Sequence, residues 1–154
     1  MWSVIEKAEK MRAELTLSIE EDAYAFQELL RVMKLPKDSP EQEEMRKKEI
    51  EKASVVAAKV PLQTALLSLE VQRLATQVAR LGIINAISDA GTAAVLAYAA
   101  ISGAGGNVRI NIKDLSQTLS SSIENNLKDI ELEARKLDLE IRSVLEERAN
   151  LIIN

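Results

Sequence analysis

The sequence predicts an all-α fold, because its composition suits helices and its apolar residues recur at helical spacing. It contains five Gly, three Pro and no Cys, and only 3% of its residues are aromatic. A β-sandwich needs more turn residues and more aromatic strand residues than this. A chain of 154 residues is long enough for one domain with a substantial core. We therefore expect a single domain, residues 1–154, built as a bundle of about five helices.

The chain has neither Cys nor His, which removes several classes of chemistry. Disulfide frameworks, zinc fingers, thiol nucleophiles and His-based triads are excluded, so catalysis would depend on carboxylates, amines, hydroxyls or amides. The net charge is −4, and Lys and Arg alternate with Glu rather than forming a basic stripe. We therefore expect no nucleic-acid partner. The first residues lack an apolar signal region, so we expect a cytoplasmic protein.

The first helix is expected from about Ser3 to Leu35, with one apolar stripe facing the core. Arg12 and Asp22 interrupt this stripe, and each either reaches out to solvent from its edge or faces a cleft. The stripe consists of Ile5, Ala8, Leu15, Ile19, Phe26, Leu30 and Met33.

Two prolines separate the first helix from the second. Pro36 disfavours helix at Leu35, and Ser39 followed by Pro40 is a favourable helix start, with Gln42 placed to complete a capping box. Farther along, Pro61 either kinks the second helix or begins a third one. The apolar pattern then continues to residue 82, a glycine of the kind that often ends a helix.

Residues 90–108 carry no charge and approach the length of a membrane span. Their Ala, Gly, Ser and Thr residues contribute little insertion energy, so we expect a buried helix of a soluble protein and no membrane. The segment from Gly103 to Gly106 allows two interpretations. It either ends this helix, because glycine is unfavourable inside helices, or it lets another helix approach closely.

The last helix is expected from about Asp114 to Asn150, with Asp114 and Gln117 forming a capping box. Leu132 and Leu139 are expected to widen its apolar face. The partner of this face is either another helix of the same chain or a second subunit. The face repeats at spacings of four and three residues, as in a heptad seam of Ile123, Leu127, Ile130, Ala134, Leu137, Ile141 and Val144.

Three stretches, in this order, carry a resemblance to a known family. The first is Asp-Ala-Tyr-Ala-Phe at 22–26, followed by Met-Lys-Leu-Pro-Lys at 33–37. The second contains Val-Pro-Leu at 60–62, and the third runs from the Ser-Asp pair at 88–89 to Asn-Val-Arg-Ile-Asn-Ile-Lys-Asp at 107–114. Together they resemble the cyclodeaminase domain of formiminotransferase-cyclodeaminase and its relatives, which include methenyltetrahydrofolate cyclohydrolases.

The resemblance implies antiparallel helices, a homodimer and a folate-type small-molecule substrate, with no cofactor beyond the tetrahydrofolate derivative itself and no metal. It also favours one helix through residues 103–106. Two features depart from the family. Its glycine-rich opening segment and first helix are not matched, so the domain is expected to begin about a quarter late, which bears on the ligand pocket more than on the fold. Ile83 stands where the family commonly has Asn, although Asn85 lies nearby.

Both reactions of the family move protons beside a cationic carbon, and a carboxylate can perform that work as general acid or base. The resemblance places Asp89 first as a catalytic residue, because it matches the family's Ser-Asp pair. The structural alternative is that Ser88 caps the helix and Asp89 interacts with its dipole. Asp22, on the stripe of the first helix, is the second catalytic candidate.

The remaining candidates would bind substrate. Arg12, about 15 Å from Asp22 along a helix, would meet a folate carboxylate or an internal acidic residue. Asn85 and Ser88 lie close to Asp89 in the sequence and are substrate-binding candidates for that reason. Asn107 and Asn111 share a helix face, where their amides bind a pterin edge or only link helices. Two functions follow: a cyclodeaminase or cyclohydrolase of folate one-carbon metabolism, or a non-catalytic helical dimer that retains the family core without a complete folate pocket.

Overall fold

The computed structural model describes residues 2–153, and the all-α prediction is confirmed for this range. It contains four α-helices rather than about five: α1 (Trp2–Met33), α2 (Pro40–Leu81), α3 (Ile87–Asn111) and α4 (Gln117–Ala149), with a short 3-10 turn, Ile84–Ala86, before α3. Helix α2 is central, because α1, α3 and α4 all pack against it. Helix α3 also packs on α4, whereas α1 packs almost entirely on α2.

Pro61 lies inside α2, so the 42 residues of this helix form one element and no third helix begins there. Because proline has no N–H, the carbonyl of Ala57 lacks the helical donor that it would otherwise have. The side-chain amide of Asn111 in α3 supplies a replacement, and its Nδ2 donates to the Ala57 oxygen at 2.8 Å. A cross-helix hydrogen bond therefore compensates for the proline.

Asn111→Ala should destabilise the protein by about 1–3 kcal/mol, because the Ala57 carbonyl would be left without a donor beside a buried residue. In a Pro61→Ala background, the restored N–H of residue 61 can donate to that carbonyl. The same Asn111→Ala change should then reduce the stability by clearly less. Urea unfolding of the four proteins in this double-mutant cycle measures the coupling. Equal losses of stability in the two backgrounds would show that the Asn111 amide does not compensate for Pro61.

The start of α2 is as predicted. The Ser39 hydroxyl oxygen accepts from the backbone N–H of Gln42 at 3.3 Å, and Pro40 is the first helical residue. The Gln42 side chain in turn accepts from the backbone N–H of Asp38 at 2.9 Å. These two bonds satisfy exposed donors at the helix entrance, as a capping box does.

Helix α2 ends at Gly82, as predicted, but the backbone there is extended, with φ −77° and ψ 178°. Its N–H donates to the carbonyl of Val78 at 2.7 Å, and a Cβ at this position would lie 2.6 Å from the same oxygen. Glycine is therefore needed here for close approach and not for a left-handed conformation.

The predicted capping box at Asp114 is wrong, because α4 begins at Gln117 and its N-cap residue, Ser116, makes no side-chain cap bond. Ile112 and Leu115 are both buried, and the N–H of Leu115 donates to the carbonyl of Ile112 at 3.2 Å. This packing holds residues 112–115 in a turn, so the helix starts after it.

Helix α3 continues through residues 103–106, which confirms the continuous-helix interpretation. Two of its glycines contact α4: a Cβ on Gly91 would lie 2.9 Å from Leu145, and one on Gly105 would lie 2.8 Å from Glu131. These two glycines therefore allow α3 and α4 to pack closely.

The heptad seam of α4 faces its own chain. Six of its seven residues are buried, and they pack with α2 and α3 in two apolar clusters. Leu137 is partly buried against the first cluster. The prediction for Leu132 and Leu139 is wrong, because these side chains are 54% and 70% exposed. Two neighbouring helices cover the seam but do not reach around to its edge.

The apolar stripe predicted for α1 is not the face that packs. Most of the predicted residues are exposed, and Ile19 is 70% and Phe26 58% exposed. Because α1 packs almost entirely along α2, it uses a neighbouring face with smaller residues and leaves the larger apolar side chains uncovered. The buried face consists of Met11, Ser18, Ala25, Leu29 and Val32.

Segments within α2 and within residues 84–111 are long and apolar enough to cross a membrane, by length and composition alone. Their most apolar windows are 44% and 33% buried, respectively. Core helices of soluble proteins share these properties, and the absence of a membrane partner stays a prediction. The expectation of a buried helix holds only in part, because one face of α3 is exposed.

An ion-pair network joins α3 to α4. The guanidinium of Arg109 donates to Glu131 through Nη1 at 2.7 Å and Nη2 at 2.9 Å, and to Glu124 through Nη2 at 3.2 Å. The hydrogen bond from Arg109 lowers the pKa of Glu131 below its ordinary value, although burial acts in the opposite direction. A carboxylate with a lowered folded-state pKa stabilises the protein above its ordinary pKa, and this stabilisation is lost as the pH falls.

Arg109→Met should lower stability at pH 7 by about 1–2 kcal/mol, a modest value because the Arg109 side chain is 42% exposed. It should also flatten the loss of stability as the pH falls below the ordinary carboxyl pKa of 4.5. Denaturant unfolding at pH 7 and pH 4 measures both effects. Arg31→Met, which removes the more exposed partner of Glu28, is the matched control and should change stability by clearly less than Arg109→Met does. If Arg109→Met lost as much stability between pH 7 and pH 4 as the wild type, the ion pair would not contribute to the acid sensitivity.

Candidate functional site

A groove runs between α1 and α3, with α2 as its floor. It contains two cavities that share Leu15 and Ile19 as lining residues. The groove exists because α1 and α3 both pack on α2 but hardly on each other. We call the two parts the polar cavity and the apolar cavity.

The polar cavity has a volume of about 310 Å³. Of the residues that the structure describes, Asp22 is the only charged one that lines it, and it lies across from Asn107 of α3. The apolar part of its lining consists of the ring of Pro61, two alanines and the side chains of Leu15 and Ile19. The lining residues are Leu15, Ser18, Ile19, Asp22, Pro61, Thr64, Ala100, Ala104 and Asn107.

The two hydroxyl groups of the polar cavity direct their protons to their own helices. Ser18 Oγ donates to the carbonyl of Glu14 at 3.1 Å, and Thr64 Oγ1 donates to the carbonyl of Val60 at 3.2 Å. Each hydroxyl therefore retains only lone pairs for a ligand. Together with the carboxylate of Asp22, they make this cavity rich in hydrogen-bond acceptors, and the amide of Asn107 adds its two donors. The cavity is suited to a ligand group that donates hydrogen bonds.

The apolar cavity is larger, about 590 Å³, and lies along the first half of α1. Arg12 and Glu9 are the charged residues in its lining. Arg12 Nε donates to Glu9 Oε2 at 3.0 Å, and this hydrogen bond raises the pKa of the already basic guanidinium. Arg12 therefore pairs with an acidic residue on its own helix and remains exposed to solvent.

The structure brings together only some of the residues predicted for the site. Asp22 and Asn107 share the polar cavity, and Arg12 lies in the adjoining apolar cavity. Asp89 is exposed at the first turn of α3 and lines neither cavity. Because 18 residues of helix separate Asp89 from Asn107, the two are about 27 Å apart within one chain.

The Asn85 and Ser88 side chains are also exposed near the start of α3. The predicted N-cap at Ser88 is wrong, because α3 begins at Ile87 and its N-cap residue, Ala86, makes no side-chain cap bond. The carbonyl of Ser88 instead accepts from Thr92 Oγ1 at 3.0 Å.

Asn111 links two helices and does not face a ligand, because its amide nitrogen donates to the Ala57 carbonyl. Ser18 and Thr64 were missed by the sequence reasoning. Ser18 lies one helical turn before Asp22 and Thr64 three residues after Pro61, so their positions relative to those residues are the signal that could have revealed them.

The fold and the groove define an all-α protein with an open ligand-sized cleft between two helices that flank a third. A model of the formiminotransferase-cyclodeaminase family matches residues 1–136 of the sequence. The chain belongs to this family, which confirms the resemblance seen in the sequence.

Relatives with known names agree with this assignment. The chain is 36% identical over 150 residues to a methenyltetrahydrofolate cyclohydrolase of Methylorubrum extorquens, covering 96% of this chain and 71% of that protein. It is 35% identical over 104 residues to the formimidoyltransferase-cyclodeaminase of Sus scrofa, covering 68% of this chain and 19% of that protein. The chain thus spans about a fifth of the length of the latter enzyme.

The fold is similar to the crystal structure of a formiminotetrahydrofolate cyclodeaminase from Thermotoga maritima. The TM-score is 0.82 at 24% sequence identity, and the match covers 93% of this chain and 68% of that one. At this identity the likeness supports the fold.

Proposed function

We propose that the protein is an enzyme of folate one-carbon metabolism, either a formiminotetrahydrofolate cyclodeaminase or a methenyltetrahydrofolate cyclohydrolase. The observation that supports this best is the carboxylate of Asp22 in an acceptor-rich cavity at one end of an apolar groove. The names of the relatives supply the substrate class. A homodimer and a cytoplasmic location belong to the same proposal.

A tetrahydrofolate has a polar pteridine head, an aromatic middle and a carboxylate tail, and the groove offers these features in the same order. The pteridine's amide N–H and amino group donate hydrogen bonds, which suits the hydroxyl oxygens of Ser18 and Thr64 and leaves the Asp22 carboxylate for the reacting carbon. Leu15 and Ile19 offer apolar surface to the ring system. Arg12, ten residues and thus about 15 Å before Asp22 along α1, is placed to pair with a carboxylate of the tail in competition with Glu9.

Either reaction requires a proton to be moved beside the carbon that bridges N5 and N10. In deamination, N10 bonds to the formimino carbon, the carbon–nitrogen bond to the leaving group breaks, and the proton from N10 departs with ammonia. In hydrolysis, water adds to the methenyl carbon and one ring carbon–nitrogen bond then opens. A carboxylate stabilises the cationic centre and relays the proton in both cases. Neither reaction needs a metal or a bound cofactor.

Two assays on the purified protein test this proposal. Hydrolysis removes the near-UV absorbance of methenyltetrahydrofolate, whereas deamination of formiminotetrahydrofolate produces that absorbance and releases ammonia. We expect turnover of at least one substrate, and the assay that responds identifies the reaction.

A non-catalytic helical dimer is the competing function, because both predicted catalytic carboxylates are exposed and lie far apart in one chain. Thermal unfolding with and without folates distinguishes it. A ligand that binds the folded protein raises its melting temperature. No shift with any folate, together with no turnover, would contradict the enzyme.

A further inference from the structure

The end of α3 that borders the polar cavity is tied to α2 by a side-chain hydrogen bond. Asn111 is the last residue of α3, and its Nδ2 donates to the carbonyl of Ala57 in α2 at 2.8 Å. The ion pairs of Arg109, near the same end of α3, run instead to Glu131 and Glu124 of α4. Asn111 therefore links this end of α3 to the helix that forms the floor of the groove.

Both ends of this hydrogen bond lie one helical turn from a residue that lines the polar cavity. Asn107 precedes Asn111 by four residues, so the two side chains share one side of α3. Ala57 precedes Pro61 by four residues, so its carbonyl lies one turn before the proline ring of the cavity. The bond thus fixes the turn of α3 that carries Asn107 against the turn of α2 that carries Pro61.

The position of Asn107 depends on this support, because α1 gives it little. Helices α1 and α3 hardly touch, and Asn107 itself is exposed. Its distance from Asp22 across the cavity is therefore set by how firmly α3 is held on α2. Such distances matter for a reaction, because a displacement of about 1 Å can lower the rate of an enzyme about 100-fold.

We propose that Asn111 is a positioning residue for the polar cavity. By donating to the carbonyl that Pro61 leaves free, its amide holds Asn107 across from Asp22 in the orientation that binds the folate substrate. The action on substrate rests on the proposed function, whereas the restraint on α3 rests on the hydrogen bond alone. The two parts are therefore tested separately.

The test needs a background in which removal of the Asn111 amide leaves no carbonyl unpaired. Pro61→Ala provides it, because the N–H of residue 61 can donate to the Ala57 carbonyl, and the second lone pair of that oxygen remains for Asn111. If Asn111 only compensated for the proline, it would be dispensable in this background. A positioning residue would still be needed. Every variant below contains Pro61→Ala and is compared with Pro61→Ala alone.

The restraint on α3 is tested without folate, by hydrogen exchange at the amide of Ile112. This amide donates to the carbonyl of Val108 at 3.0 Å, across the last turn of α3. Adding Asn111→Ala should raise its exchange rate about three- to tenfold, because the last turn opens more readily without the bond to α2. Asn125→Ala, at an exposed position of α4, is the matched control and should leave the rate unchanged. Equal rates in the two variants would overturn the restraint.

The action on substrate is tested by steady-state kinetics with the folate that the protein turns over. Adding Asn111→Ala should raise KM about tenfold and change kcat by less than about threefold, because it disturbs the binding group Asn107 and leaves Asp22 on α1 in place. Adding Asn107→Ala should have a similar effect, and the two changes together should raise KM no further, since Asn111 acts through Asn107.

An unchanged KM in the Asn111→Ala variant, or increases in KM that multiply when both asparagines are replaced, would overturn the positioning role. A wild type that turns over no folate would instead refute the proposed function and, with it, the action on substrate. The exchange rate of Ile112 decides the restraint on α3 in either case.

Discussion

Asp22→Asn should lower turnover of the folate substrate by at least about 100-fold, with no change in the melting temperature of the free protein. Among the described residues, this carboxylate is the only charged group that lines the polar cavity, and its replacement by an amide removes both the proton carrier and the charge that favours a cationic centre. The side chain is exposed, so the substitution leaves no buried group unpaired. Steady-state kinetics with the responding substrate measure the effect.

Glu21→Gln is the matched control, because it removes a carboxylate from the neighbouring position, which is also exposed but lines neither cavity. Its turnover should remain within about twofold of the wild type, since surface changes away from the site have small effects. Activity of Asp22→Asn within threefold of the wild type would show that the polar cavity is not where the reaction takes place.

Leu127→Ala should have the largest effect on stability, about 2–5 kcal/mol, because this side chain is fully buried where α4 meets α2 and α3. It packs close to the position of Gly105, where a Cβ would lie 3.5 Å from its Cδ1. Truncation would leave a cavity that neighbouring alanines cannot fill. Urea unfolding followed by circular dichroism measures the loss.

The comparison for this variant is Leu132→Ala, on the same helix. The spacing of apolar residues assigns both leucines to one broad face, but Leu132 is 54% exposed. Its truncation should therefore cost less than about 0.5 kcal/mol. Similar losses for the two variants would mean that another surface covers Leu132 in solution.

The helices could be predicted because their signals are local. Ser39 and Pro40 mark the start of α2, and the heptad spacing of α4 identifies most of its buried face. The helix count could not be predicted, because it depends on Asn111, a residue 50 positions after Pro61 that satisfies the carbonyl freed by that proline. No local rule indicates such a distant compensation.

The buried face of α1 could not be predicted either. Periodicity shows that a helix has an apolar face, but it does not show which of two neighbouring faces a partner covers. Here α2 covers the face of Met11 and Ser18, and the larger side chains of Ile19 and Phe26 stay exposed. That choice opens the groove, so the error in the packing prediction and the location of the candidate site have the same cause.

The sequence predicts Asp22 and Asn107 as separate site residues, and the structure places both in one cavity. Ser18 and Thr64 can be recognised as site residues only once α1, α2 and α3 are packed together. The resemblance places Asp89 first, and this residue lies at the far end of α3 from the cavity. Asp89 is exposed there and lines neither cavity, because the rise of 18 helical residues separates it from Asn107.

A crystal structure with a bound, non-reacting folate analogue tests the central claim most directly. We expect density for the pteridine ring between α1 and α3, with its amino and amide groups near the Ser18 and Thr64 hydroxyls, its bridging carbon beside Asp22 and its tail directed toward Arg12. Density elsewhere on the protein, or none at a saturating concentration of the analogue, would contradict the groove as the folate site.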